Sequence, residues 1–119
     1  MASHNDIGRK GEELAATLLR KKGYTILQRN YRYRKAEVDI IAQKRGILAI
    51  VEVKYRRSDH LQAITASITK KKIALLISAA DHFIQKQDLD VDTRFDIITI
   101  LGQPTGYAIE HLENAFSPY

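Results

Sequence analysis

The sequence predicts one α/β domain over residues 1–119, ordered helix, three strands, helix, strand, strand. Three observations predict it. Two segments repeat apolar residues at helical spacing, three runs between Tyr24 and Tyr55 are rich in β-branched and aromatic residues, and Arg94 to Leu101 is densely apolar. The first helix starts at an Asn5 or Asp6 cap, carries Ile7, Leu14, Ala15, Leu18 and Leu19 on one stripe, and stops at Gly23. Lys21 and Lys22 place cations at its C-terminal end, where the helix dipole favours them. Strands follow at Tyr24 to Arg34, Glu37 to Gln43 and Ile47 to Tyr55, separated by short polar breaks. After a polar stretch from Arg56 to Ser67, Thr69 caps a second helix reaching about Lys86, with Ile73, Leu76, Ile77, Ala80, Phe83 and Ile84 on its apolar face. Arg94 to Leu101 is the fourth strand, Gln103 to Gly106 a turn, and Tyr107 to Leu112 a final edge strand.

Composition narrows the function. The 119 residues contain no cysteine, which excludes a disulfide scaffold, a zinc ribbon and a thiol catalyst together. No apolar run approaches the 18 or so residues that a membrane-crossing helix needs, so a cytoplasmic protein with no membrane partner is expected. Charge is uneven: residues 1–60 hold 14 Lys/Arg against 7 Asp/Glu, whereas residues 61–119 hold 5 against 7. Between Leu14 and Ala36 there is no acid at all, while Arg20, Lys21, Lys22, Arg29, Arg32, Arg34 and Lys35 accumulate around Tyr24, Tyr31 and Tyr33. Such a stripe suits a polyanion, whose counterions are released on binding and whose bases stack on aromatic rings. A solvated basic face is the alternative.

The central hairpin carries the chemistry. If Arg45 and Gly46 form a two-residue turn, Lys44 pairs with Ile47, and Val38, Ile40 and Ala42 meet Val53, Val51 and Ala49 on an apolar face. On the other face Ile41 meets Ile50, Asp39 stands opposite Glu52, and Glu37 opposite Lys54. Directly opposed like charges are destabilising, so either one carboxylate holds a proton or a cation sits between them. Two converging hard oxygen ligands suit Mg²⁺ or Mn²⁺, and Lys54, two residues from Glu52, lies on the same face. A charged patch on a solvated sheet face, with Glu37 and Lys54 as an ordinary ion pair, remains the competing reading.

Asp39, twelve intervening residues and Glu52-Val53-Lys54 resemble the Asp…(Asp/Glu)-X-Lys signature of the PD-(D/E)XK, or restriction-endonuclease-like, nuclease superfamily. More closely, the chain resembles the YraN-type family of small bacterial proteins, in the branch similar to Holliday-junction resolvases. Gly8 to Ala15, Gly23-Tyr24, Arg29-Asn30-Tyr31, Ala36 to Ile41, Val51 to Arg56, Lys70, Arg94-Phe95-Asp96 and Asn114-Ala115-Phe116 carry that likeness. The resemblance implies an αβββαβ core with a mixed central sheet flanked by helices. It also implies Mg²⁺ or Mn²⁺ bound by Asp39, Glu52 and the main-chain carbonyl of Val53, with Lys54 as the catalytic lysine. The Gly-Glu step maps a supporting glutamate onto Glu12, not Glu13. A homodimer and a DNA substrate, favoured over RNA and branched in the resolvase branch, follow from the same likeness. Two departures stand out: Ala36 where glycine is common, and Val38 in place of the proline of the superfamily's name.

The resulting expectation is a metal-dependent endonuclease using Glu12, Asp39, Glu52 and Lys54. The alternative is a non-catalytic nucleic-acid-binding module that keeps the fold. Arg32, Arg34, Lys35, Arg56, Arg57, Lys70, Lys71 and Lys72 are the expected backbone contacts. The three lysines open a helix where cations oppose the dipole, an arrangement that a phosphate would relieve. Asp96 and Arg94, two residues apart, read as a structural ion pair. His4, His60, His82 and His111 lack mutual metal-site spacing and are set aside.

Overall fold

A computed structural model describes residues 4–56, 68–104 and 106–116, with side chains from Arg9 onward. Helix α1 (His4–Lys21) is followed by strands β1 (Thr25–Tyr33), β2 (Ala36–Lys44) and β3 (Ile47–Arg56), helix α2 (Lys70–Gln87), and strands β4 (Asp92–Gln103) and β5 (Gly106–Leu112). The five strands lie side by side in chain order, antiparallel except for the parallel β3–β4 pair that α2 connects. The αβββαβ order is the one the sequence predicts, the mixed sheet is the one the family resemblance implies, and β5 lies on the edge.

Each element has a local cause. Gly23, at φ 94°, closes α1 with bonds from its N–H to Arg20 and from Tyr24 N–H to Leu19, satisfying carbonyls the helix leaves unpaired. The helix already includes His4, so Asn5 and Asp6 fall in its first turn and do not cap it. An acid in the first turn still suits the positive end of the dipole. Thr69 does cap α2: its hydroxyl accepts from Lys72 N–H at 3.1 Å. Arg45 and Gly46 both have positive φ, 51° and 78°, as a two-residue hairpin of the twist-matched type requires. The β2–β3 register is the predicted one from Lys44↔Ile47 to Ile40↔Val51.

Both faces of the sheet are covered. Ala15, Ala16 and Leu19 of α1 pack on Ile40, Ala42, Ala49, Val51, Ile98 and Ile100. On the opposite face Leu76, Ala79, Ala80 and Phe83 of α2 pack on Ile41, Leu48, Ile50 and Phe95. Double burial explains the nearly unbroken apolar runs of β3 and β4. Gly11 lets α1 sit close, since a Cβ there would lie 3.2 Å from Ile100 Cδ1. Among the described residues no helix is long and apolar enough to cross a membrane.

One buried charge cluster ties β4 to β5 and to the segment after it. Asp96, fully buried, accepts two 2.8 Å bonds from Arg94, a 2.8 Å contact with His111 Nε2 and 3.0 Å from Asn114 N–H. Burial alone would raise its pKa, but His111, Arg94 and Asn114 outweigh that and hold it below the usual carboxylate value. The expected structural ion pair is therefore present, and His111 joins it. Removing the anion strands Arg94 in a partly buried position, so Asp96→Ala is expected to cost about 3–5 kcal/mol in urea unfolding.

Candidate active site

The predicted pairing of Asp39 with Glu52 does not form as a ladder pair. β2 and β3 are paired only as far as Ile40↔Val51, and the reason is a shared kink. Between the Arg29↔Ile40 and Tyr31↔Val38 pairs of β1 and β2, Asn30 adopts φ 52°. Arg29 reaches α1, while Tyr31, two residues on, packs edge-on against Phe83 of α2. β2 changes faces in step: Ile40 and Ala42 lie under α1, but Val38 lies under α2. Residues two apart in a regular strand share a face, so both strands turn over at Asn30 and Asp39. Val38 and Val53 therefore do not form the predicted apolar pair, and Glu37 lies 3.6 Å from Arg32 instead of opposite Lys54.

At this break Asp39 Oδ2 accepts the Val53 N–H at 2.7 Å, a carboxylate doing the work of a strand carbonyl. Glu52, one residue earlier in β3, is buried at 8% exposure. Its Oε1 lies 3.7 Å from Lys54 Nζ and 3.7 Å from Lys72 Nζ, whereas its Oε2 is buried without a hydrogen-bond partner. Burial, then the charge of Glu52, pushes the Asp39 carboxyl up to about 7. Burial also raises Glu52, with Lys72 and Lys54 pulling the other way. Asp39, Glu52 and Lys54 thus lie together, with Glu52 buried, Asp39 half-buried and the Lys54 side chain partly exposed.

Glu12 stands beside this group. Its charge raises Asp39 further, and its carboxylate lies 3.7 Å from Arg29. Glu13 points outward and pairs with Arg29 at 2.6 Å, which lowers its pKa. The distinction drawn between the two glutamates holds in their exposure: 20% for the Glu12 side chain, 62% for that of Glu13. Among the described residues no three acids or histidines form a metal-ligand cluster, so the acid pair would need main-chain or external oxygens to complete a coordination shell.

The basic residues divide. Lys70 and Lys71 are exposed at the start of α2. Lys72 leaves that group, because the Thr69 cap and the first helical turn bring its ammonium to Glu52; the anion that relieves it is a carboxylate of this chain. Arg32 and Lys35 are exposed, and Arg34 lies over the Tyr33 ring at 5.2 Å. Arg56 corrects the expectation of a surface phosphate contact: its side chain is 5% exposed and lies 3.7 Å from Glu110. With so little of it exposed, this side chain is no surface phosphate contact, although it borders the recess beside Tyr55 and Tyr107. Arg57 and His60 lie outside the described residues, as does the side chain of His4. The role of Lys72 at the acid pair had only one sequence signal, three cations where the helix dipole disfavours them.

Residues 11–100 match the profile of Uncharacterised protein family UPF0102. The chain belongs to the UPF0102 family. UPF0102 proteins of Flavobacterium psychrophilum and Christiangramia forsetii are each 47% identical over 116 residues, covering 98% of this chain and 98% of theirs. One from Phocaeicola vulgatus is 43% identical over 118 residues, covering 99% of this chain and 98% of its own. The family match takes in Glu12, Asp39, Glu52, Lys54 and Lys72, hence the whole of the site in this UPF0102 chain.

The raised Asp39 pKa makes a stability prediction. In the ordinary range near 3.8 the unfolded chain releases this proton, whereas the folded protein keeps it to about 7. Stability contributed by the protonated form is present below pH 4 and lost as pH rises to about 7. In EDTA, Asp39→Asn is therefore expected to match wild type near pH 4 and to exceed it at pH 8, by on the order of 3 kcal/mol in urea unfolding. A pH-independent difference would show Asp39 ionising as an exposed carboxylate.

Proposed function

We propose that the chain is a cytoplasmic, metal-dependent phosphodiesterase that cuts nucleic acid, with DNA favoured. The observation that carries this reading is the buried Glu52 Oε2 without a hydrogen-bond partner beside a second carboxylate that resists ionisation. A buried carboxylate oxygen without a partner, beside a half-buried second carboxyl, offers two hard oxygen donors that fit Mg²⁺ or Mn²⁺. Asp39, Glu52 and the carbonyl of Val53 would hold the ion, with Glu12 supporting it. When bound, the ion supplies Lewis-acid polarisation of a phosphoryl oxygen and lowers the pKa of a nearby water.

The chain's own residues supply the rest. Lys54, with its ammonium at Glu52 and about two-fifths of its side chain exposed, would face a phosphate bound beside that carboxylate. It orients the nucleophile and stabilises the negative charge that develops on the phosphoryl oxygens. Lys72 faces Glu52 from the other side, and its charge opposes the upward pull of burial on the Glu52 carboxyl. Exposed Lys70 and Lys71, with Arg32, Arg34 and Lys35, give the phosphate backbone its counter-charge. A homodimer presenting two such sites would cut two strands.

The test is cleavage of labelled linear, flapped and four-way-junction DNA and of structured RNA, with Mg²⁺ or Mn²⁺. Chelator-sensitive cutting is expected for wild type, reduced at least about 100-fold in Glu52→Gln and Lys54→Ala. Binding without metal-dependent cutting above those variants would instead establish a non-catalytic binding module. Separately, Lys70→Glu with Lys71→Glu is expected to weaken DNA binding and to reduce the slope of log affinity against log salt by about 2, since each lysine then leaves one phosphate without its counter-charge. An unchanged slope removes these lysines from the interface.

A further inference from the structure

Tyr55 and Tyr107 are the large apolar residues left exposed among the described residues, at 42% and 38%. They are not scattered. Their rings meet edge to face at 6.4 Å, in an open recess of about 570 Å³ at the end of β3 and the β4–β5 turn. The pairings Tyr55↔Ile100 and Gly102↔Tyr107 put the two rings on one face, on either side of Gly102. Gly102 makes the slot: a Cβ there would lie 2.4 Å from Tyr55 Oη, so any other residue would push the ring away. Lys10 of α1 lies over the Tyr107 ring at 5.1 Å, and Gln103 adds an amide to the wall. None of the described lining residues is acidic.

Flat aromatic faces, a cation beside them and an amide within reach are the requirements for stacking one base while holding its phosphate. The volume falls within the usual range for small-ligand recesses. Tyr55 directly follows Lys54, and side chains of consecutive strand residues leave opposite faces. Tyr55 lies three positions beyond Glu52, roughly 10 Å along β3. A nucleic acid that reaches both must bend around the end of the sheet, which an unpaired strand does readily and a stiff duplex does not. We propose that this recess stacks an unpaired nucleobase on Tyr55 and Tyr107, so that the chain selects strands with unpaired nucleotides over perfect duplex. The inference rests on the nucleic-acid reading above and adds the substrate class to it.

The experiment measures binding in EDTA, where cutting plays no part, of a fluorescein-labelled oligothymidylate and of a blunt duplex of equal length. Tyr107→Ala and Tyr55→Ala are each expected to weaken oligothymidylate binding about 5- to 100-fold while changing duplex binding less than about twofold. Tyr107→Phe keeps the ring and is expected to keep the affinity, which separates stacking from any loss of fold. The chain has no tryptophan, so Tyr107→Trp installs a single reporter whose emission oligothymidylate should quench. Unchanged affinities, equal losses on both probes, unquenched tryptophan or a wild type that binds neither probe would overturn the proposal. Tyrosine-dependent binding without metal-dependent cutting would leave the recess standing and remove the nuclease reading. Cutting with tyrosine-independent binding would do the reverse.

Discussion

The amide of Val53 needs an acceptor at the point where β2 leaves β3, and Asp39 supplies it. An unpaired buried N–H is costly, so a carboxylate is drawn into the interior at this position. Once there, it lies within the field of Glu52, and two anions share a poorly solvated space. The surrounding features answer that charge. Lys54 shares a face with Glu52, Lys72 is delivered by a capped helix, and Glu12 is held nearby by an α1 that Gly11 lets settle against β4. The kink at Asn30 belongs to the same constraint, because β1 must follow β2 as it turns over.

Two aspartates in one sheet, Asp96 buried and Asp39 half-buried, show how environment separates structure from chemistry. Asp96 has Arg94, His111 and a backbone N–H, and its charge is fully answered within the fold. Asp39 has one N–H and a neighbouring anion. The first setting lowers the pKa of Asp96 and locks β4 to β5; the second raises that of Asp39 to about 7, beside a Glu52 Oε2 that has no hydrogen-bond partner. Such unresolved local conflicts concentrate at functional sites, while the rest of a fold is internally consistent. Here the rest is consistent: both sheet faces are sealed by helices whose apolar stripes match them, and the helix ends are closed by Gly23 and Thr69.

Much of this was legible in the sequence because it is local. Arg45-Gly46 announces a two-residue hairpin, and alternation then sets the register up to Ile40↔Val51. Gly23 and Thr69 mark helix boundaries through their own backbone chemistry. Extrapolating the register one residue further failed at Asp39, since periodicity assumes a regular strand and Asn30 is in the left-handed region. Arg56 looked like part of the basic surface because charge counts carry no direction; the Glu110 contact that takes it inward comes from a strand 54 residues away in the chain. The join of His111 to Asp96 and of Lys72 to Glu52 are likewise contacts between distant elements.

By itself the sequence determined the element types, their order, the hairpin register and the residues capable of the chemistry, all of which depend on near neighbours and on hydrophobic period. Only the tertiary structure decided that β3 and β4 run parallel, that Glu52 is buried with Asp39 half-buried beside it, which lysines serve the pair, and that Tyr55 and Tyr107 form one recess. Those outcomes depend on how a crossover helix docks and where paired strands part, and such geometry is set by the packing of the whole sheet.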